Sequence, residues 1–320
     1  MSVLTLVENW EGEFKKNSFE AVSYGKEIAN NLDSRLTTLT FGSKNPSELN
    51  HYGADENVNI QNMNFETTSN MIIARISADF IKEQNITTII ISNTNTGKAI
   101  APLIAHFLDC GTLSNAIDYP EKYSPLTVLC KVFSGKAHAK YESNYHKNMI
   151  TILPNSIGEI KEVSGDGELI NIDKEIDNNY NLTTIQSRHK STEKISLPDA
   201  EIVVSAGRGL KNAENWGMIE ELAESLNAAT ACSKPVSDMG WRPHSEHVGQ
   251  TGIAINPKLY IAIGISGAIQ HLAGVNGSKN IVVINTDAEA PFFKAANYGI
   301  IGDAFTVVPK LIEAIKKHQN

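Results

Sequence analysis

The sequence predicts an α/β protein of two domains, each with a mostly parallel sheet flanked by helices. The chain has 320 residues, which exceeds the size of one typical hydrophobic core. Short apolar runs alternate with segments whose apolar residues recur at helical spacing, and this alternation is typical of parallel sheets covered by helices. A polar, acidic stretch over residues 157–194 separates two such series. We therefore predict domains at residues 1–190 and 191–320.

The first domain is expected to alternate strands and helices. Apolar or β-branched runs predict strands at 3–7, 36–41, 86–92, 126–133 and 149–153, and helical spacing predicts helices at 19–32 and 99–108. The run 86–92, ITTIIIS, suits a strand buried on both faces. Residues 93–99 resemble a phosphate-binding P-loop, but they lack its first glycine and the Ser or Thr after the lysine. We expect a strand–turn–helix junction there, without a nucleotide.

The second domain repeats this pattern. The same reasoning predicts strands at 201–205, 259–265, 281–285 and 304–307, with helices at 215–227, 267–273 and 308–317. Lys316 and Lys317 fall in the last turn of the closing helix, where positive charge suits the negative end of the helix dipole.

Composition and charge argue against several classes of function. The net charge is −8 and no basic stripe is visible, so nucleic-acid binding is not expected. No apolar run approaches the roughly 18 residues of a membrane span, and the first residues resemble neither a secretory nor a transit signal. We expect a cytoplasmic protein that does not insert into membranes. Cys110, Cys130 and Cys232 are too few and too widely spaced for a disulfide framework or a zinc site, and we expect all three to be buried.

Two candidate binding segments follow predicted strands of the second domain, where open α/β sheets bind ligands. Residues 205–210 combine glycines with Arg208, which could contact a phosphate; the alternative is a glycine turn with a surface arginine. Residues 248–252 could hydrogen-bond a planar heterocycle, and the alternative is a hairpin turn. The residues at issue in this second segment are Val248, Gly249, Gln250 and Thr251.

Two further segments lie later in the chain. Residues 264–271 run from a strand through a Ser-Gly pair into a helix, whose free backbone N–H groups suit a pyrophosphate. Ser266 also suits a helix N-cap, and a lone histidine here is more often structural than a ligand. Asn285 and Asp303 could contact a ribose or an adenine, or could be a turn residue and a helix cap. The candidate residues of the third segment are Ser266, Gly267, Ala268, Ile269, Gln270 and His271.

Taken in this order, the four segments closely resemble the FAD domain of electron transfer flavoprotein alpha subunits. The matching pieces are SAGRGLKNAENW at 205–216, HVGQTG at 247–252, LYIAIGISGAIQHLAG at 259–274 and the run 285–303. The first domain resembles the family more loosely, through ISNTNTGKAIAPLIAHFLD at 91–109. The GxGxxG fingerprint of the usual dinucleotide-binding fold is absent.

The resemblance implies a heterodimer in which this chain supplies two domains and a beta subunit supplies a third. FAD would lie on the second domain, a doubly wound FAD-binding fold. Such proteins accept electrons from dehydrogenases, commonly the acyl-CoA dehydrogenases of fatty acid oxidation, and pass them singly to a membrane quinone oxidoreductase. An electron carrier needs no general base or nucleophile, and we find no catalytic constellation. Some members of the family bifurcate electrons with a second flavin in the beta subunit, and this possibility stays open.

The resemblance also implies roles for individual residues. Arg208 would lie near the flavin or a phosphate, and the Thr251 hydroxyl would hydrogen-bond the flavin N5. Residues 266–271 would hold the pyrophosphate and ribityl chain, with His271 toward the pyrimidine side of the ring. Asn285 and Asp303 would contact the adenosine, and Ser233 would lie near the ring.

Lys234 departs from the family pattern, in which an arginine usually follows the serine at position 233. An arginine can stack on a ring face, whereas a lysine is a compact, strongly hydrated charge. Positive charge near the flavin should favour its anionic semiquinone by Coulomb attraction. Our hypothesis is that Lys234 keeps part of this effect and loses the stacking.

Two other readings stay open. The first is a stand-alone NAD- or FAD-dependent oxidoreductase, or a protein with a related nucleotide-binding sheet such as a sirtuin; the zinc module of a sirtuin needs more cysteines than this chain has. The second is a scaffold subunit that has lost its flavin.

Overall fold

The computed structural model describes residues 2–160, 166–176, 179–180, 183, 185–187 and 196–319. The chain divides into two compact units. The N-terminal unit comprises residues 1–133 and 137–190, and the C-terminal unit comprises residues 134–136 and 191–320. Both are α/β units with mostly parallel sheets, which confirms the predicted fold class.

In the N-terminal unit, the described residues form a ten-stranded sheet and a small β-hairpin. The hairpin pairs β2 (Asn9–Trp10) with β3 (Glu13–Phe14). The sheet contains β1 (Val3–Leu6), β4 (Leu36–Phe41), β5 (Glu56–Ile60), β6 (Thr88–Ser92), β7 (Gly111–Ala116), β8 (Lys122–Tyr123), β9 (Leu126–Val132), β10 (Ala137–Ser143), β11 (Asn148–Ile152) and β12 (Glu168–Ile172). Its order is β10-β9-β7-β11-β6-β1-β4-β5-β12, with β8 paired to β9. The strands from β7 to β12 in this order are parallel, whereas β9 runs antiparallel to β7 and β10 antiparallel to β9.

Among the described residues of this unit, three α-helices cover the sheet: α1 (Lys16–Asn31), α2 (Asn70–Glu83) and α3 (Asn95–Leu108). Successive residues of β1 point to opposite faces, so that Val3 packs with α1 and Leu4 packs with α2 and α3. The central strands are therefore buried on both faces, as their continuous apolar runs predict. The alternating pattern of strands and helices in the sequence did not predict α2. Ser69 is the N-cap of this helix, since its hydroxyl accepts a hydrogen bond from the backbone N–H of Ile72 at 3.4 Å.

The C-terminal unit contains a five-stranded parallel sheet. Its strands are β13 (Ile202–Ala206), β14 (Ala229–Cys232), β15 (Leu259–Ile263), β16 (Asn280–Asn285) and β17 (Tyr298–Ile301), and its helices are α4 (Gly217–Ser225), α5 (Lys234–Asp238), α6 (Ile269–Val275) and α7 (Ala304–Gln319). The strand order is β14-β13-β15-β16-β17. The order changes direction between β13 and β15, and ligands of open parallel sheets bind beyond the carboxyl ends of the strands at such a point.

Two expectations from the sequence are wrong. The strand predicted at 304–307 is the first turn of α7, because the Asp303 carboxylate accepts a hydrogen bond from the backbone N–H of Phe305 at 3.1 Å and starts a helix there. Cys110 is only partly buried, whereas Cys130 and Cys232 are buried as expected.

The P-loop-like residues 93–99 form a capped strand–turn–helix junction. The Thr94 hydroxyl accepts a hydrogen bond from the backbone N–H of Gly97 at 2.9 Å and donates one to the Glu8 carboxylate at 2.6 Å. None of the described helices combines the length and the apolarity that crossing a membrane requires.

Candidate functional site

A cavity of about 320 Å³ lies at the carboxyl ends of β13, β14 and β15. The loops after these strands supply its walls, together with the loop before β15 and the start of α6. The cavity therefore lies at the switch point of the five-stranded sheet, where the topology alone favours a ligand.

Most of the residues that the sequence singles out line this cavity. They are Arg208, Ser233, Lys234, Val248, Gly249, Gln250, Thr251, Ser266, Ala268, Gln270 and His271. Four predicted residues are not part of the lining: Gly267, Ile269, Asn285 and Asp303. Four other residues line it that the sequence did not predict: Pro235, His247, Gly264 and Ile265. Gly264 and Ile265 lie inside the segment 264–271 but were not named as candidate residues, whereas Pro235 and His247 each adjoin a candidate residue.

Glycines allow the loops after β13 and β15 to approach each other. A Cβ atom on Gly209 would lie 2.5 Å from the Cα atom of Gly264, and one on Gly207 would lie 2.4 Å from the Gly264 carbonyl oxygen. Gly264 itself has a φ of +61°, a conformation that side chains disfavour. Gly264 therefore lines the cavity with bare backbone, which permits a ligand to approach closely there.

The loop from His247 to Ile253 is fixed at both sides. The backbone N–H of Val248 donates to the Cys232 carbonyl at 3.1 Å, and that of Gln250 donates to the Gln270 carbonyl at 2.7 Å. These two bonds tie the loop to the end of β14 and to the start of α6. The side chains of Gln250 and Thr251 stay exposed at the cavity, free to bind a ligand.

Helix α6 begins later than expected. Its N-cap is Ala268, so Ser266 lies two residues before the cap and does not have the capping role that we considered. Gly267 has a φ of +80°, and a Cβ atom there would lie 2.5 Å from the Phe292 Cβ atom. Gly267 therefore packs against Phe292 and does not line the cavity, whereas Ser266 and Ala268 do.

His271 is buried in the cavity wall and is held neutral. Its Nε2 atom lies 2.8 Å from the Tyr260 hydroxyl, while Nδ1 is buried without a hydrogen-bond partner among the described residues. Burial lowers the pKa of His271 to about 4, with repulsion from His247 adding to the effect. Burial also raises the pKa of Tyr260, so this pair carries no charge at neutral pH. When Tyr260 donates to Nε2, the ring proton sits on Nδ1, which leaves a buried donor for a ligand.

His247 is a second histidine of the wall and is only 2% exposed. Its ring stacks on that of His244, with centroids 5.3 Å apart and planes inclined by 22°. Burial lowers the pKa of His247, and the positive charges of His244 and Lys234 lower it further.

The charges of the lining residues are positive. Arg208 and Lys234 are exposed cations, and no carboxylate is among the described residues that line the cavity. The nearby buried carboxylate of Glu246 is neutralised by the guanidinium of Arg242, which contacts both of its oxygens. The cavity therefore suits a ligand that carries phosphate or gains negative charge.

Asn285 and Asp303 have structural contacts of their own. The Asn285 amide donates to the Ile265 carbonyl at 3.0 Å and accepts from the backbone N–H of Asp287 at 3.1 Å. Asp303 caps α7, as described above. Asn285 thereby holds the loop after β15, and both residues match the turn and cap that were the alternatives to adenosine contacts.

Comparison with known proteins finds a matching family model for each of the two parts of the chain. Residues 196–276 match the model of the electron transfer flavoprotein FAD-binding domain, and residues 3–176 match that of the electron transfer flavoprotein domain. The chain is 37% identical over 320 residues to electron transfer flavoprotein subunit alpha of Bacillus subtilis, covering 98% of this chain and 97% of the relative. It is 38% identical over 259 residues to the mitochondrial alpha subunit of Dictyostelium discoideum (79% and 72% covered). It is 32% identical over 351 residues to the acryloyl-CoA reductase electron transfer subunit beta of Anaerotignum propionicum (98% and 95% covered).

Proposed function

The chain belongs to the electron transfer flavoprotein alpha-subunit family, with its FAD-binding domain, and we propose that it holds FAD in the cavity at the switch point. The observation that carries this proposal is the coincidence of two independent features. Every residue that lines the cavity lies within 196–276, the stretch that matches the FAD-binding domain.

The residues around the cavity fit this cofactor. A buried ring nitrogen of His271 lacks a partner, and a flavin carbonyl would satisfy it. The glycines at 207, 209 and 264 let the loops after β13 and β15 pack against each other, and Gly264 lines the cavity without a side chain, which leaves room for a flat ring or a phosphate group. The cationic lining favours a pyrophosphate and any negative charge that the ring gains on reduction.

We assign the following roles to the chain's own residues. Gln250 and Thr251 offer an amide and a hydroxyl to the edge of the ring, and Ser233 offers a second hydroxyl nearby. The backbone N–H groups of residues 266–270 precede or begin α6 and bind the pyrophosphate. Arg208 and Lys234 supply positive charge, and Asn285 and Asp303 lie toward the adenosine end. When bound, FAD supplies the redox chemistry, because its ring system accepts and releases electrons.

Family membership implies a beta-subunit partner. We propose that residues 1–190 pack on that subunit and that residues 191–320 carry the flavin. The proposed donors are dehydrogenases, acyl-CoA dehydrogenases of fatty acid oxidation first among them, and the proposed acceptor is a membrane quinone oxidoreductase. The name of the Anaerotignum relative, an electron transfer subunit of acryloyl-CoA reductase, supports an acyl-CoA-linked donor or acceptor.

We propose that the chain is a carrier without a substrate turnover of its own. This proposal is supported by the relatives, which are named as electron transfer subunits and not as stand-alone oxidoreductases. The discriminating measurement is turnover: the purified complex should reduce artificial acceptors only when a donor dehydrogenase is present.

Flavin content tests the proposal. The chain, co-purified with its beta subunit, is expected to be yellow and to release FAD on denaturation. Thr251→Val should weaken FAD binding about 3–10-fold through the loss of one hydrogen bond. Thr306→Val makes the same chemical change at an exposed site on α7 and should bind FAD like the parent. A colourless parent complex that takes up no added FAD would instead support the flavin-less scaffold.

A further inference from the structure

We propose that His247 takes up a proton from solvent when the flavin in this cavity is reduced, so that electron transfer is coupled to protonation of the cavity wall. The inference rests on the proposed function, because it requires FAD beside this histidine. It assigns a redox-linked role to a residue to which the sequence analysis gave no role.

The geometry makes His247 the available proton acceptor. Its ring lines the cavity and is only 2% exposed, yet no described residue hydrogen-bonds to either of its ring nitrogens. Neither of these nitrogens is among the fully buried unpaired polar atoms, so both stay accessible to solvent. His271 differs, because Tyr260 already occupies its Nε2 atom at 2.8 Å.

The ring is held in place by its surroundings and not by hydrogen bonds of its own. A Cβ atom on Gly252 would lie 2.7 Å from Nδ1, and one on Gly249 would lie 3.4 Å from Nε2. The backbone carbonyl of His247 accepts from the N–H of Ile253 at 2.8 Å. The loop that carries Thr251 therefore folds around this ring, which places any charge on His247 directly under the loop.

The charged groups that face His247 keep it neutral while the cavity holds no negative charge. Lys234 at the start of α5 and His244 on the preceding turn lower its pKa, and only Asp238 at the end of α5 raises it. His271 on α6 is neutral, Arg208 lies on the opposite loop, and the Glu246 carboxylate is paired with Arg242. The net charge around His247 is therefore positive, and it opposes protonation of the ring.

An electron that reaches the cavity makes this net charge less positive and so weakens the opposition to protonation. The electron comes from the donor protein, and the proton comes from water or buffer and forms an N–H bond at a free ring nitrogen of His247. His244 is exposed and stacked against the ring, so it offers the nearest route for the proton from solvent. Because both events change the same local charge, each favours the other.

The test compares the FAD-loaded heterodimer with its His247→Gln variant by potentiometric titration between about pH 5.5 and pH 7.5, the range around the ordinary pKa of histidine. The midpoint potential of the parent should fall with pH more steeply than that of the variant, by up to about 30 mV per pH unit for one extra proton per two electrons. His51→Gln removes an exposed histidine of the N-terminal unit and should keep the parent's slope.

Equal slopes in the parent and in His247→Gln, with flavin bound in both, would overturn the proposal and leave FAD binding intact. A parent complex that binds no flavin would overturn both. Should the variant not fold, NMR titration of isotope-labelled histidines in the parent decides the matter. Reduction should raise the proton affinity of His247 at least tenfold, and an unchanged titration would overturn the inference.

Discussion

The burial of His271 makes the stability of the flavin-free protein depend on pH. Its pKa is about 4 in the folded chain and about 6.5 when exposed. A group whose folded pKa is depressed contributes stability that is fully present above the unfolded pKa and is lost as the pH falls through the folded pKa. The window is therefore pH 6.5 down to about 4. One pKa unit corresponds to about 1.4 kcal/mol, so the whole loss amounts to about 3 kcal/mol.

The perturbation that isolates this effect is His271→Gln. Glutamine does not titrate, and its amide can still meet the Tyr260 hydroxyl. Flavin-stripped parent and variant are unfolded with urea at several pH values from 7.5 to 4. Carboxylates titrate in both proteins at the acid end, so the informative quantity is the difference between the two free energies of unfolding. As the pH falls from 6.5 to about 4, the parent should lose about 3 kcal/mol of free energy of unfolding relative to the variant.

One outcome would refute the reasoning. If the free energies of the parent and of His271→Gln fall in parallel, the histidine is not held neutral by burial. NMR titration gives an independent check, because a His271 pKa near 6.5 in the folded protein would mean that the wall opens to water around this ring. His51→Gln, at an exposed position, should leave the parent's pH dependence unchanged.

Three further predictions concern single sites. Gly267→Ala should lower the free energy of unfolding by about 1–3 kcal/mol, because its φ is +80° and the new Cβ atom would lie 2.5 Å from the Phe292 Cβ atom. The control Gly217→Ala should be tolerated, because its new Cβ atom would meet no atom within 4 Å. Glu246→Gln should cost about 2–3 kcal/mol in urea unfolding because it breaks a buried ion pair, against under about 1 kcal/mol for Glu221→Gln at an exposed pair. Lys234→Arg should shift the midpoint potential of bound flavin if stacking matters, and identical potentials would exclude our hypothesis for this lysine.

The sequence predicted the fold class and most of the cavity lining because these depend on local signals. Strand runs such as residues 259–263 are uniformly apolar, and the glycine and polar residues that follow them stand where a parallel sheet gathers its loops. The strand β17 gave no such signal, since all four of its residues are exposed at the edge of the sheet. The error at residues 304–307 has a similar origin: the β-branched residues there suit a strand, but Asp303 caps a helix.

Contacts that depend on tertiary structure were beyond the reach of the sequence. Nothing local to His247 predicts that its ring is 2% exposed, because the burial comes from the folding of residues 248–253 over it. The same is true of Asn285, whose amide reaches the Ile265 carbonyl twenty residues away. A motif identifies which residues are near a ligand, whereas the partners of each side chain decide what those residues do.

The two cavity histidines illustrate this point, since they differ in their partners. His271 has a hydroxyl partner and a pKa of about 4, so a charge on it would have to break a buried pair as well as overcome desolvation. His247 has no hydrogen-bond partner to lose, and it stands next to a histidine that reaches solvent. A negative charge arriving in the cavity therefore meets one histidine that stays a neutral hydrogen-bonding group and one that can become a cation. Lys234 and Arg208 supply a positive charge that is constant with pH, so any pH dependence of the cofactor's potential that is lost in His247→Gln should trace to the stacked pair His244 and His247.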